Sequence, residues 1–147
     1  AAVERHEVTP ALEDVVEATI YLSGLGFENG GLAAAHAVND GFAQEPQAHG
    51  MYHGEKVAFG TLVQLVLEKA PQEELEQVLA FLRDTGLPLT LAQLGVKEIV
   101  PETLKKVAEA AVVPTQSTKN LRADITAQEV YDAILEADRI GRDYLAH

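Results

Sequence analysis

The stretch that decides the fold is TAQEVYDAILEADRIGRDY, residues 126–144. Thr126 and Glu129 have the spacing of a capping box, in which each side chain bonds the backbone N–H group of the other residue at a helix start. Apolar side chains then recur at helical spacing, at Val130, Ile134, Ala137, Ile140 and Tyr144. The stretch therefore predicts a long terminal helix, and the helix signals upstream decide whether the whole chain is helical.

Helix signals of the same kind recur towards the N-terminus. A capping residue or an early proline opens most of the predicted helices, and a glycine or a loop closes them. The stretch GLGFENG, residues 24–30, is predicted to be a turn because it follows a helix rather than a strand. The predicted helices cover 9–23, 32–43, 53–69, 71–85, 90–94, 101–111 and the segment after Thr126. Alternating strand patterns are absent, so we predict an all-α helical bundle of about six or seven helices.

Length and composition indicate one globular domain over residues 1–147. Apolar residues make up 47% and charged residues 23%, which argues against disorder. The formal charge of -12 would repel phosphate backbones and anionic headgroups, so neither nucleic acid nor a membrane is a predicted partner. With no cysteine, disulfides and thiolate metal sites are excluded. The chain shows no membrane span or signal peptide, and a soluble cytoplasmic protein is predicted.

Three histidines fall within AHAVNDG, residues 35–41, and AHGMYHGEKVAFG, residues 48–60. His36 precedes Asn39 and Asp40 by about one helical turn, and from this spacing alone a surface pairing with Asp40 is the simpler interpretation. His53 opens the next predicted helix, so the intervening loop could bring both rings to one point. Imidazole suits zinc or ferrous iron, but a catalytic site generally has three protein ligands. Two histidines leave such a site incomplete.

Two long runs of this sequence carry a family resemblance. VTPALEDVVEATIYLSGLGFENGGLAAAHAV, residues 8–38, and MYHGEKVAFGTLVQLVLE, residues 51–68, resemble the C-terminal helical domain of the glycerol dehydrogenases. These belong to the iron-containing, metal-dependent alcohol dehydrogenases, whose architecture is dehydroquinate synthase-like. The similarity continues more weakly through GLPLTLAQLGVKE, residues 86–98, and the terminal helix.

The resemblance implies a metal site shared between domains. His36 and His53 would be two of three protein ligands to a catalytic zinc, with iron as a second candidate metal. The third ligand would be an aspartate from an earlier part of the enzyme. NAD would be bound mainly by an N-terminal α/β domain that this chain lacks, and the intact enzyme would be a homo-oligomer.

The implied reaction is the NAD-dependent oxidation of glycerol, or a related small polyol, to dihydroxyacetone, with zinc polarising the hydroxyl groups. The chain begins with alanine rather than methionine, which suggests a fragment of a longer protein. We therefore predict that the isolated fragment is inactive. The alternative is a noncatalytic helical module with vestigial metal binding or a role in assembly.

The sequence also departs from the family pattern. Where relatives commonly carry a second histidine after the first ligand, this chain has VND at residues 38–40, and TKN at residues 118–120 replaces a His–Asn pair. These changes leave both proposed ligands intact, but the resemblance does not carry over to the groups that transfer protons and position the substrate. Phe27 is a candidate wall of the substrate pocket, and an aromatic residue that anchors its loop is the equal alternative. No role is assigned to His49, Asn39 or Lys119.

Overall fold

The computed structural model describes residues 2–146, and every regular element in that range is helical. The α-helices are α1 (Ala2–Arg5), α2 (Pro10–Glu17), α3 (Ser23–Gly30), α4 (Ala34–Gly41), α5 (His53–Glu68), α6 (Gln72–Thr85), α7 (Pro101–Ala111) and α8 (Ala127–Leu145). A π-helical segment, Ala18–Leu22, joins α2 to α3, and short 3-10 helices cover Phe42–Gln44, Pro46–Ala48 and Ser117–Asn120. The all-α fold class is confirmed.

The chain divides into two compact units, one ending at Leu32 and the other beginning at Ala33. In the described part of the first unit, α1 to α3, no residue is buried, and apolar side chains such as Ile20 are exposed. The second unit contains a continuous apolar core built from α4 to α8 and their connections. The largest buried side chains in it are Phe42, Phe59, Leu62, Leu89, Leu91, Leu94, Leu104 and Ile134.

Two glycines allow α4 to pack closely on its neighbours. A Cβ atom on Gly60 of α5 would collide with the carbonyl oxygen of Ala35, and one on Gly41 of α4 would collide with that of Val107 in α7. Glycine removes both collisions because it has no side chain. Helix α4 therefore lies between α5 and α7, with its backbone against both.

Several helix boundaries follow the predicted signals. In the capping box of α8, the Thr126 hydroxyl accepts the Glu129 N–H at 3.2 Å, and the Glu129 carboxylate accepts the Thr126 N–H at 2.8 Å. Helix α6 ends at Gly86, whose φ of 74° lies in the left-handed region that favours glycine. These local signals placed α5, α6, α7 and α8 to within a residue or two.

Two predictions about the helices were wrong. The helix predicted to stop at Ser23–Gly24 continues to Gly30, so GLGFENG is helical, and the glycine that ends it is Gly31 with φ 68°. The predicted helix at 90–94 is a set of hydrogen-bonded turns instead. Gly95, with φ 88°, reverses the chain there before a second helical turn can form. Within residues 2–146, none of the helices has both the length and the apolar character needed to span a membrane.

Candidate metal centre

The two predicted ligands lie on neighbouring helices of the second unit. His36 is in the first turn of α4, and His53 is the first residue of α5. Their ring centroids are 5.5 Å apart and the ring planes are tilted by 47°. Two imidazoles bound to one tetrahedral zinc have centroids about 5 Å apart, because each Zn–N bond is about 2.1 Å and the ring radius adds to it. The fold brings the rings to a separation that one ion can bridge.

The surroundings of His36 favour its neutral form. Burial lowers the pKa of His36, the nearby His53 lowers it further, and the Asp40 carboxylate opposes both effects. The neutral imidazole is the form that binds a metal ion. His36 can therefore offer a ring nitrogen at neutral pH without first losing a proton.

The surface pairing of His36 with Asp40 is not formed. Asp40 Oδ1 instead accepts a hydrogen bond from Asn39 Nδ2 at 3.0 Å, and none of the ion pairs within residues 2–146 joins Asp40 to His36. Asn39 itself is buried, with 7% of its surface exposed. The polar residues that follow His36 on α4 thus bond each other, and the ring partner of His36 is His53.

The described residues bring together two candidate ligands rather than a complete site. Across residues 2–146, no group of three or more His, Asp or Glu side chains could hold a metal ion. His49 lies outside the pair, since its Nε2 is 3.0 Å from the Ala43 carbonyl oxygen, to which it can donate a hydrogen bond. Two imidazoles still fit zinc, which binds histidine nitrogen and in catalytic sites has three protein ligands.

Comparison with known proteins finds glycerol dehydrogenases that match this chain over nearly its whole length. The chain is 57% identical over 144 residues to the glycerol dehydrogenase of Escherichia coli O6:H1, an alignment that covers 98% of this chain and 39% of the relative. The crystal structure of glycerol dehydrogenase from Schizosaccharomyces pombe matches with a TM-score of 0.91 at 41% identity, over 97% of this chain and 36% of that one. Over nearly its whole length, this chain matches the C-terminal helical part of glycerol dehydrogenases.

A probable glycerol dehydrogenase from Sinorhizobium meliloti 1021 gives a TM-score of 0.90 at 46% identity, over 97% of this chain and 40% of that one. No protein-family model matches the chain. The chain thus spans about two fifths of the length of these relatives and corresponds to the C-terminal helical domain of glycerol dehydrogenases. The resemblance seen in residues 8–68 is confirmed.

Side chains from other elements hold the start of α4. The helix begins after Ala33, which has no side chain that could cap it. Gln64 of α5 accepts the Ala35 N–H through its Oε1 at 3.1 Å, and the Ser117 hydroxyl donates to the Ala33 carbonyl at 2.7 Å. Sequence reasoning missed both residues. The available signal was an alanine at the cap position, because a helix start without its own cap needs external partners.

The loop between the two histidine-bearing helices is tied to a distant segment of the chain. Glu45 is 1% exposed and accepts the N–H of Gln47 at 3.0 Å. Gln47 Oε1 accepts the N–H groups of Lys97 and Glu98 at 3.1 and 3.2 Å. These bonds fix the path from α4 to α5. They could not be predicted from the sequence, because no local pattern marks contacts between residues so far apart in the chain.

Phe27, the predicted pocket wall, lies in α3 with an exposed side chain. It belongs to the unit that ends at Leu32, and its part in a substrate pocket stays a prediction. Two of the residues that replace the His–Asn pair bond backbone carbonyls upstream of them, one in their own loop and one at the end of α7. Lys119 Nζ donates to the Pro114 carbonyl at 2.9 Å, and the Thr118 hydroxyl donates to that of Ala111 at 2.5 Å.

Proposed function

We propose that this chain supplies the metal-binding helical part of an NAD-dependent glycerol dehydrogenase that oxidises glycerol to dihydroxyacetone. The observation that carries the proposal is the pair of imidazoles 5.5 Å apart in a chain that matches glycerol dehydrogenases. His36 and His53 would be two of the three protein ligands to zinc. The aspartate ligand and the NAD-binding domain would belong to the region of the relatives that this chain does not cover.

The residues of this chain have defined tasks in that proposal. When bound, zinc supplies Lewis-acid polarisation of a polyol hydroxyl, and NAD supplies the hydride acceptor. His36 and His53 hold their share of the site from two helices that pack directly on each other. The lowered pKa of His36 keeps its ring neutral, so that its nitrogen is available for binding rather than for carrying a proton.

Calorimetric titration of the purified chain with zinc tests the assignment of the two histidines as ligands. We expect weak binding by the wild type, because part of the site is proposed to lie outside this chain. His36→Ala and His53→Ala should each weaken it by at least about tenfold. His49→Ala is the matched control, since that ring bonds a loop carbonyl instead. Equal zinc affinity in the wild type and both ligand variants would reject the two histidines as ligands.

A noncatalytic helical module is the second candidate. The observation that favours it is that residues 2–146 contain two of the proposed ligands and no group of three. The coding sequence upstream of Ala1 distinguishes the two functions. An α/β segment with a glycine-rich loop and a suitable aspartate supports the dehydrogenase, whereas an unrelated segment supports the module.

A further inference from the structure

One hydrogen bond joins the two histidine-bearing helices directly beside His36. Ala35, the residue before it, donates its N–H to Gln64 Oε1 at 3.1 Å, and Gln64 lies on α5, the helix that begins at His53. This N–H is among the four at a helix start that have no partner within the helix. A side chain of one ligand helix therefore caps the other.

Glu68 orients the Gln64 amide for this task. A glutamine amide can present either its oxygen or its nitrogen to a neighbour. Gln64 Nε2 donates to Glu68 Oε1 at 2.7 Å, one helical turn further along α5. Since the nitrogen is bound to Glu68, the amide oxygen is left to accept the Ala35 N–H.

A backbone contact fixes the same point from a second side. Gly60 precedes Gln64 by four residues and so lies on the same face of α5. A Cβ at Gly60 would collide with the carbonyl oxygen of Ala35. Ala35 is thus held through its N–H by Gln64 and packed at its carbonyl against Gly60, which sets the position of α4 along α5 immediately before His36.

We propose that Gln64, oriented by Glu68, is a positioning residue that holds His36 opposite His53 for metal binding. The inference rests on the proposed function, because it requires the two histidines to be ligands. Without the Gln64 bond, the first turn of α4 loses an acceptor for one of its unpaired N–H groups. That turn then frays more readily, and the rings spend less time at a separation that an ion can bridge.

The test uses Gln64→Ala in the full chain, with zinc affinity measured by calorimetry and coordination geometry by the visible spectrum after cobalt(II) loading. We expect about tenfold weaker zinc binding, as for other groups that orient metal ligands. The cobalt spectrum should change as well. The double variant Gln64→Glu with Glu68→Gln keeps an acceptor for the Ala35 N–H and a hydrogen bond between positions 64 and 68, and it should restore most of the affinity.

A matched control separates positioning from general helix stability. Gln128 on α8 makes the same kind of bond, to Asp132 at 2.8 Å four residues on, and Gln128→Ala should leave zinc affinity and the cobalt spectrum unchanged. Should Gln64→Ala fail to fold, Glu68→Ala leaves Gln64 in place but unoriented and should give a smaller loss of affinity, with Asp132→Ala as its control.

The outcomes separate this inference from the proposed function. Unchanged zinc affinity and cobalt spectrum in Gln64→Ala, beside a clear loss in His36→Ala, would overturn the positioning role alone. Absence of zinc binding by a hybrid that joins this chain to the preceding region of the Escherichia coli O6:H1 relative would overturn the proposed function, and the positioning role with it.

Discussion

At the scale of single residues, Gly60 permits the close packing of α5 on α4. An added Cβ would meet the Ala35 carbonyl oxygen, a backbone atom that cannot rotate away. We expect Gly60→Ala to lower the free energy of unfolding by about 1–3 kcal/mol, as overpacking of a core commonly does. Urea unfolding measures it. Gly54→Ala on the same helix is the control, because a Cβ there meets open space, and equal stability of the two variants would contradict the expectation.

His36 should make the stability of the metal-free protein depend on pH. Its pKa is lowered from an ordinary value of 6.5, chiefly by burial, so the unfolded chain takes up this proton before the folded one does. Stability should therefore fall as the pH drops below about 6.5 and level off once the folded state also binds the proton. His36→Gln should remove this part of the loss of stability at low pH. The measurement is urea unfolding across this pH range with a chelator present. His49→Gln is the control and should keep the wild-type pH dependence. If His36→Gln keeps it as well, His36 is not the source of the pH dependence.

The two histidines could be predicted from the sequence through the family resemblance, but not from their spacing. Spacing alone favoured a surface pair of His36 with Asp40, a pair the structure does not form. The distance from His36 to His53 depends on the loop path, which Gln47 fixes by bonds to Lys97 and Glu98 far along the chain, while Glu45 accepts the Gln47 N–H. Such contacts leave no periodic or local signal in the sequence.

At the scale of helices, boundaries were predictable where one local motif decides them. The box at Thr126 and Glu129 placed the start of α8 correctly. The glycine stretch failed as a stop signal because a glycine inside a helix costs only about 1 kcal/mol, which packing or neighbouring turns can offset. The helix ends at Gly31, which has φ 68°. The sequence shows several glycines there and does not reveal which one adopts the left-handed conformation.

The capping box of α8 predicts an acid-dependent stability. Hydrogen bonds from the Thr126 backbone, Arg122 and the Thr126 hydroxyl lower the pKa of Glu129 to about 2. The folded pKa of Glu129 lies below the ordinary 4.5, so ionised Glu129 stabilises the folded state. This stabilisation is complete above pH 4.5 and is lost as the pH falls towards 2. Glu129→Gln should flatten the loss of stability across this window, measured by thermal unfolding monitored by circular dichroism. Glu102→Gln, at the exposed start of α7, is the control, and an unaltered slope in Glu129→Gln would contradict the assignment.

At the scale of the whole chain, the fold class was predictable but the packing of the helices was not. Helix α4 packs on α5 and α7, and both of these pack on α8. Amphipathic faces predict that helices pack, yet they do not specify which faces meet. The close backbone contact at Gly60 and the cap from Gln64 determine how α4 packs on α5. The separation of His36 from His53 is therefore a property of the packed unit rather than of either helix.

The last prediction concerns catalysis by the whole enzyme. The chain of 147 residues on its own is expected neither to bind NAD nor to oxidise glycerol, because the proposed cofactor domain and third ligand lie outside it. Joined to the preceding region of the Escherichia coli O6:H1 relative, it should support glycerol-dependent formation of NADH, measured by absorbance. This activity should be lost in His36→Ala and His53→Ala and kept in His49→Ala. Turnover by a homogeneous preparation of the chain alone would contradict the shared site, and a folded, zinc-binding hybrid without activity would favour the noncatalytic module.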